Sequence, residues 1–259
     1  MTLTGSDETT STSQAQVTLK KVPQIDLVPW DPDSPSHVER LTQQRVACGW
    51  DVNRVQKWAT QQREGYKFIY WIVLSDSPTT SDPQTASSWL TKHLTLYPTE
   101  STPLTPSSPS SSPSAPQIFI PLGHISLDTS ALDVSRGRLT YDLPSPTAYR
   151  VTTFYVSRSV QGSGIGRLAM DRIEGMASDP KGQFKASVLA ISTALDDDEF
   201  KKKYSIVEWY ARRGYKPYKY VERAWNHTDS NGEEWGWTAI FMKKDISSLL
   251  SPENSTSLT

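Results

Sequence analysis

The chain has 259 residues, of which 36% are hydrophobic and 21% are charged, and its formal net charge is -1. This composition excludes disorder throughout, and the balanced charge argues against binding of nucleic acid or an anionic membrane through a basic surface. One cysteine, Cys48, excludes an internal disulfide framework and a cysteine-rich zinc site, so we expect no metal. The N-terminus has neither a basic nor an apolar signal region, and no apolar run approaches the ~18 residues of a membrane span. We therefore expect a cytoplasmic protein, and a nuclear location also fits this composition.

Three stretches lack the pattern of a folded core. Residues 1–16 are polar, residues 98–116 hold six prolines, seven serines and three threonines, and residues 246–259 end in a run rich in serine and threonine. Such compositions bury too little apolar surface to offset the entropy of ordering. We predict disordered tails at 1–16 and 246–259, and one domain over 17–245 with a flexible insertion at about 76–116. Apolar residues around Trp89 favour a short helix in the first part of that insertion.

The remaining segments alternate between strand and helix periodicities in chain order. Strands are predicted at 17–30, 67–74, 117–127, 149–156, 186–193, 215–225 and 235–244. Helices are predicted to begin at a capping box at Ser36, at Asp51, near Ile165 and near Phe200, the last of them ending at Gly214. The order β-α-α-β-β-β-α-β-α-β-β predicts an α/β fold, a single domain with a mixed sheet flanked by helices.

A glycine-rich turn joins the fourth predicted strand to the helix that follows it. Its sequence is QGSGIG at residues 161–166. Glycines allow a ligand to approach the backbone closely, and the first turn of a helix presents unpaired N–H groups and a positive dipole end. This pattern predicts a site for a phosphate or pyrophosphate. A tight strand-to-helix turn without a ligand is the simpler interpretation.

Two familiar phosphate-binding motifs fit this turn poorly. A Walker loop ends in Gly-Lys-Ser/Thr, whereas this chain has Gly166-Arg167-Leu168. The dinucleotide fingerprint G-x-G-x-x-G follows the first strand of its domain, whereas G-x-G-x-G follows three earlier strands here. A nucleotide-dependent oxidoreductase is therefore disfavoured.

The turn resembles the signature of the GNAT superfamily of acyl-CoA-dependent N-acetyltransferases, Q/R-x-x-G-x-G/A. Gln161-x-x-Gly164-x-Gly166 matches it fully, and a second family element, an aromatic-Tyr-x-x-x-Gly-aromatic, matches Trp209 to Tyr215. The resemblance covers roughly 17–245 without the insertion. It implies the GNAT fold, a mostly antiparallel mixed sheet whose fourth and fifth strands splay apart.

The resemblance also implies where acetyl-CoA binds. The pantetheine arm lies in the splay beside Phe154, Tyr155 and Val156, and the pyrophosphate lies on the turn and the start of its helix, at Gln161, Gly162, Ser163, Gly164, Ile165, Gly166 and Arg167. Arg167 fits a solvated helix position equally well. Lys203 departs from the family, whose members often carry an asparagine there that contacts CoA.

The resemblance assigns two catalytic groups. Tyr210 matches the family tyrosine that protonates the leaving thiolate, and the backbone N–H of Val156 polarises the carbonyl. Tyr210 is otherwise a core aromatic. No carboxylate lies on the fourth strand. His124, Asp128 and Glu222 therefore stay open as general bases that act through water, although each also fits a structural role.

Five of the nine tryptophans lie near the segments that form the acceptor site in the family. Of Trp50, Trp58, Trp225, Trp235 and Trp237, we assign Trp50, Trp225 and Trp235 to substrate binding, with core packing as the alternative. We predict transfer of an acetyl group to a primary amine, of a small molecule in preference to a peptide, by direct attack in a ternary complex. The alternatives are a protein lysine or N-terminal acetyltransferase and an acyl-CoA-binding module without turnover. We expect a monomer or homodimer without nucleic-acid or membrane partners.

Overall fold

A computed structural model of the chain describes residues 24–75, 83–107, 117–143, 146–195, 205–228 and 232–247. The strands are β1 (Ile25–Pro29), β2 (Lys67–Leu74), β3 (Gly123–Thr129), β4 (Ala148–Val156), β5 (Val188–Ala194), β6 (Lys216–Thr228) and β7 (Glu234–Asp245). The helices are α1 (Pro35–Cys48), α2 (Val55–Arg63), α3 (Pro83–Leu96), α4 (Ile165–Ser178) and α5 (Ile206–Arg212). Short 3-10 segments lie at Val52–Arg54, Pro98–Glu100, Ser130–Leu139 and Arg158–Val160.

The strands form one mixed sheet in the order β1-β2-β3-β4-β5-β7-β6. Only β4 and β5 run parallel, and they pair over just three residues, from Ala148 opposite Val188 to Arg150 opposite Ala190. Beyond Arg150 the two strands separate, so the sheet opens towards the end of β4. The predicted fold class is confirmed, including the splay between the fourth and fifth strands.

Strand β2 shows why the sheet is covered on both faces. After Lys67, its run FIYWIVL is apolar, as expected for a strand that is buried on each side. Ile69 and Trp71 pack with α1 and α2 on one face, whereas Tyr70 and Ile72 pack with the cluster that contains α4 on the other. The described elements thus form a three-layer arrangement with β2 at its centre.

Helix α1 begins two residues earlier than its predicted capping box. Pro35 occupies the first turn, the N-cap is Ser34, and no side-chain capping bond forms. Proline is favoured at this position because the first N–H groups of a helix have no partner. The Ser36 hydroxyl contacts the Ser34 hydroxyl at 3.0 Å, so the predicted capping box was wrong.

Part of the stretch that composition marks as a flexible insertion has buried side chains. Helix α3 includes the helix predicted around Trp89, and Trp89 is buried. After it, Glu100 and Leu104 are also buried, and Leu104 pairs with Phe119 through two backbone hydrogen bonds. Residues 108–116, like both predicted tails apart from 246–247, lie outside the described residues.

Within the part of the chain that the structure describes, no helix is long and apolar enough to cross a membrane.

Candidate functional site

The opening between β4 and β5 is flanked by aromatic residues of α5. The rings of Phe154 on β4 and Trp209 on α5 lie 6.5 Å apart, and Trp209 contacts the neighbouring Tyr210 ring edge-on at 4.9 Å. Phe154 and Val156 are partly buried against the same core cluster as these two residues. Helix α5 therefore packs beside the end of β4 where the sheet opens.

The glycine-rich turn starts α4 directly beside this opening. Gly164 is the N-cap with a φ of 95°, a left-handed conformation that favours glycine, and its carbonyl accepts the first helical bond from Leu168 N at 3.1 Å. The backbone N–H groups at 165–167 belong to the first turn and have no partner within the helix. A Cβ on Gly166 would lie 3.7 Å from the Phe154 ring, which puts the start of α4 next to β4. Three N–H donors at a positive helix end fit the pyrophosphate of acetyl-CoA.

The other predicted residues of this turn differ in exposure. Ile165 is buried and anchors the start of the helix, whereas Gln161, Gly162 and Arg167 are exposed. The Gln161 side chain donates to the Val156 carbonyl at 3.0 Å, so it holds the turn against the end of β4. Ser163 donates its hydroxyl proton to the Val160 carbonyl.

The end of β4 is fixed from the side of β3. A Cβ on Gly123 would lie only 2.1 Å from the Tyr155 carbonyl oxygen, so only glycine allows this approach of the two strands. The Tyr155 ring points to the layer beyond, where it contacts the His124 ring at 5.5 Å and its hydroxyl reaches that of Tyr97 at 3.5 Å. Tyr155 can therefore contribute its backbone to a ligand in the splay, but its side chain is packed elsewhere.

The insertion supports the same strand end, which the sequence did not indicate. His93 of α3 is buried, and its Nδ1 lies 2.9 Å from the Ser157 hydroxyl. Ser157 in turn contacts the Ser159 hydroxyl at 2.9 Å, just before the glycine-rich turn. Glu100 lies 3.4 Å from the other ring nitrogen of His93 and accepts from Gln44 of α1 at 2.9 Å.

Tyr210 lies on α5, next to the Trp209 ring that packs beside the opening. Burial raises the pKa of its phenol, and the nearby Tyr141 phenol raises it further. The phenol therefore keeps its proton at neutral pH. Among the residues that the structure describes, its hydroxyl has no hydrogen-bond partner.

Helix α5 is held in place by a cluster around Glu174 of α4. Arg213 donates to Glu174 at 3.0 Å and to Asp171 at 2.7 Å, Lys244 of β7 lies 2.6 Å from Glu174, and the Tyr215 hydroxyl donates to it at 3.3 Å. These contacts join α5 to α4 and β7. They fix the end of the helix that carries Tyr210.

A cavity of about 550 Å³ lies against β4 and β5, where Thr152, Thr153 and Ser192 line it. Its lining comes from the strands β2 to β6, from α2 and the segment before it, and from the segment between β3 and β4: Trp50, Asp51, Arg54, Lys57, Trp58, Gln61, Lys67, Asp128, Leu132, Leu139, Tyr141, Val151, Thr152, Thr153, Ser192 and Trp225. We call this space the acceptor cavity. It includes two of the three predicted acceptor residues, Trp50 and Trp225, and Trp50 contacts Trp237 at 5.8 Å between ring centres. The side chain of Trp235 lies outside the described residues.

Lys67 and Asp128 are buried charged residues of the lining, and we call this part of it the cavity floor. The side chain of Lys67 is 2% exposed, and its ammonium donates to Asp128 at 2.9 Å and to the Thr153 hydroxyl at 2.7 Å. The hydroxyls of Ser126 and Thr152 both lie at 3.0 Å. Burial alone would raise the pKa of Asp128, but Lys67 and Arg150 outweigh it and hold that pKa below its usual value. The Asp128 carboxyl is therefore ionised at neutral pH in the folded protein.

Thr153 owes its orientation to a bulge in β4. Thr152 pairs with Ser126 and Tyr155 with His124, so two residues of β4 oppose the single Ile125. Thr153 has a φ of 49°, which is rare for a β-branched residue. The bulge directs Thr152 and Thr153 to the same ammonium, in place of the alternation of a regular strand. The sequence did not indicate this cluster around the Lys67 ammonium, because Lys67 is simply the residue that precedes an apolar run.

The three candidates for the general base lie in different surroundings. His124 is buried, donates from Nδ1 to Gln44 at 2.8 Å and accepts from Arg45 at Nε2, and burial lowers its pKa well below the usual value. His124 is a neutral, fully used histidine outside the cavity lining. Glu222 is exposed on β6, also outside the lining. Only Asp128 reaches the cavity, and there it is paired with Lys67.

Two further expectations, the departure at Lys203 and the absence of a metal, stay predictions. Lys203 lies outside the described residues. Within the described residues, no group of three or more His, Cys, Asp or Glu side chains could hold a metal ion.

Several solved acetyltransferases are similar to this chain. NAA60 of Arabidopsis thaliana, bound to a bisubstrate analogue, is 13% identical with a TM-score of 0.49, and the match covers 86% of this chain and 99% of that one. Spermidine/spermine N-acetyltransferase SpeG of Vibrio cholerae is 9% identical with a TM-score of 0.48, over 89% and 98% of the two chains. An acetyltransferase of Salmonella typhimurium that modifies the N-terminal serine of a 50S ribosomal subunit protein is 13% identical with a TM-score of 0.46, over 86% and 95%. No protein-family model and no curated protein matches the sequence.

Proposed function

We propose that this protein is an N-acetyltransferase that moves the acetyl group of acetyl-CoA to a primary amine. One observation carries the proposal: the glycine-rich turn and the acceptor cavity flank the same opening in the sheet, and Tyr210 lies beside it. When the pyrophosphate binds at the first turn of α4, the pantetheine arm can occupy the splay between β4 and β5. The acyl end then lies between Tyr210 and the cavity floor.

The proposed reaction is a direct transfer. A neutral amine attacks the thioester carbonyl, the new C–N bond forms, and the C–S bond breaks. The Val156 N–H stabilises the carbonyl oxygen as it gains charge. Tyr210 gives its proton to the leaving thiolate, and the proton lost by the amine returns to Tyr210 through solvent in the open cavity. The raised pKa of Tyr210 supports this assignment, since a proton donor must be protonated at working pH.

The cavity supports a small-molecule acceptor over a polypeptide. Its volume of about 550 Å³ lies within the ~300–1,000 Å³ of small-molecule sites. A protein acceptor would extend beyond such a space and needs a groove that continues past it. The competing function, binding of acyl-CoA without turnover, uses the same turn but needs neither Tyr210 nor the cavity.

Ligand-induced stabilisation tests the first half of the proposal. Acetyl-CoA should raise the thermal unfolding temperature, and NAD and ATP should not; an equal lack of response to all three refutes the CoA site. Release of free thiol from acetyl-CoA in the presence of an amine panel then tests transfer. Stabilisation without amine-dependent thiol release would establish a binding module in place of an enzyme.

A further inference from the structure

The acceptor cavity has more cations than carboxylates in its described lining. Its charged residues are Arg54, Lys57, Lys67, Asp51 and Asp128. Both carboxylates are already paired, Asp51 with Arg54 at 3.1 Å and Asp128 with Lys67 at 2.9 Å. Lys57 forms no ion pair with another residue that the structure describes. The excess positive charge of the lining therefore lies on Lys57.

Two of the four aromatic rings in the described lining already contact cations of the protein. Aromatic faces attract cations, so a cage of free rings would indicate a cationic ligand. Here the Lys67 ammonium already lies 5.0 Å from the centre of the Trp58 ring. The Arg150 guanidinium lies 5.1 Å from the centre of the Tyr141 ring. These two rings interact with cations of the protein itself, and a further cation would be repelled.

The charges divide between the mouth and the floor of the cavity. Arg54 and Lys57 are exposed and lie three residues apart, on the same side of the segment that starts α2. Lys67 and Asp128 are buried at the floor. The exposed pair of Arg54 with Asp51 is weak, so Arg54 can exchange that partner for a ligand. An anion at the mouth would thus meet two cations and one carboxylate, Asp51, so the net charge there is positive.

We propose that the acceptor amine is built on an aromatic or apolar body that carries a carboxylate or phosphate at its far end. The anionic group binds Arg54 and Lys57 at the mouth, the body packs against Trp50 and Trp225, and the amine reaches the opening between β4 and β5. This inference rests on the proposed acetyltransferase function. It excludes polyamines as preferred acceptors.

A matched amine series tests the proposal with the full chain. The series is para-carboxy-, para-methyl- and para-aminomethyl-phenethylamine, with spermidine added, and the assay is thiol release from acetyl-CoA. We expect kcat/KM to be highest for the carboxy compound, by about 1.5- to fivefold over the methyl compound, the range of an exposed ion pair. The aminomethyl compound and spermidine should react most slowly. Equal rates for the carboxy and methyl compounds, or preference for either dication, overturn the inference. Comparing kcat/KM for the para-carboxy and para-phosphonate compounds shows whether the mouth prefers a carboxylate or a phosphate-like group.

Variants at the mouth locate the effect. Lys57→Gln should remove most of the preference for the carboxy compound, Lys57→Arg should retain it, and Lys57→Glu should reverse it towards the aminomethyl compound. Lys92→Gln, at an exposed position of α3 outside the cavity, is the matched control and should behave as the parent chain. A preference that survives Lys57→Glu unchanged refutes the role of the mouth.

The same series distinguishes a failure of the inference from a failure of the proposed function. If no amine releases thiol, the acetyltransferase function fails. Calorimetric binding of the carboxy and aminomethyl compounds to the protein then still decides the inference: tighter binding of the carboxy compound supports it, and equal or reversed affinities overturn it.

Discussion

Replacing Lys67 by methionine should destabilise the protein strongly at neutral pH. The substitution keeps most of the side-chain volume but leaves the Asp128 carboxylate, which is 2% exposed, without its ammonium partner. It also removes the shared donor of three hydroxyls, those of Ser126, Thr152 and Thr153. Removing one partner of a buried ion pair costs about 3–5 kcal/mol. For a chain of this size, that corresponds to about 6–20 °C in the unfolding temperature.

The way in which this loss of stability changes with pH shows whether the unpaired Asp128 carboxylate causes it. In the parent chain the pKa of Asp128 is lowered, so its contribution to stability is complete above the unfolded pKa of about 3.9 and is lost only as pH falls through the folded value. Without Lys67, burial should raise the pKa of Asp128. The folded variant then binds a proton that its unfolded state lacks, so its stability rises as pH falls. The difference in the free energy of unfolding between the parent chain and Lys67→Met should therefore decrease as pH falls.

Urea unfolding followed by tryptophan fluorescence measures this difference, at about pH 7.5 and about pH 5. The double variant Lys67→Met with Asp128→Asn should recover at least half of the loss, because it removes both charges of the Lys67–Asp128 pair and leaves no carboxylate buried without Lys67. Lys92→Met, at an exposed position of α3, should stay within about 0.5 kcal/mol of the parent. A loss below about 1 kcal/mol, or one that does not change with pH, would show that the pair is not a buried charge interaction.

Three further predictions concern the proposed site and its support. Tyr210→Phe should lower the rate of thiol release with little change in acetyl-CoA affinity, and unchanged turnover would remove Tyr210 from the mechanism. Gly164→Ala should weaken acetyl-CoA binding in calorimetry, because a left-handed φ costs alanine about 1–2 kcal/mol. The control Gly175→Ala, at an open helical position, should stabilise the fold by about 0.5–1 kcal/mol with unchanged affinity. Equal affinities for both variants would contradict the predicted pyrophosphate site. Glu174→Gln should lower the free energy of unfolding by about 2 kcal/mol, because it weakens the contacts of Arg213 with α4, and a loss under about 0.5 kcal/mol in urea unfolding would count against this role.

The sequence predicts the strands best where local pattern and packing agree. Strand β2 has the predicted bounds, since seven of its eight residues are apolar and most of the strand is buried. The start of α1 was missed because Ser36-x-x-Glu39 has the spacing of a capping box, but Pro35 already fits the first turn. The insertion was interpreted from composition alone. A few residues, among them His93, Glu100 and Leu104, are enough to bury part of it against the rest of the chain.

The two halves of the proposed site also differ in how well the sequence predicts them. The CoA side is a backbone structure: a glycine with positive φ and the first turn of a helix, all within residues 161–167, so a short motif reveals it. The acceptor side is made by side chains from distant segments, such as Lys67, Asp128 and Thr153, which only the register of β2, β3 and β4 brings together. A bulge in β4 decides that Thr153 faces Lys67, and no local pattern encodes it. If the protein has the proposed function, the residues that sequence reasoning could identify least decide acceptor specificity, and substitutions at the cavity mouth should change the acceptor while leaving acetyl-CoA binding intact.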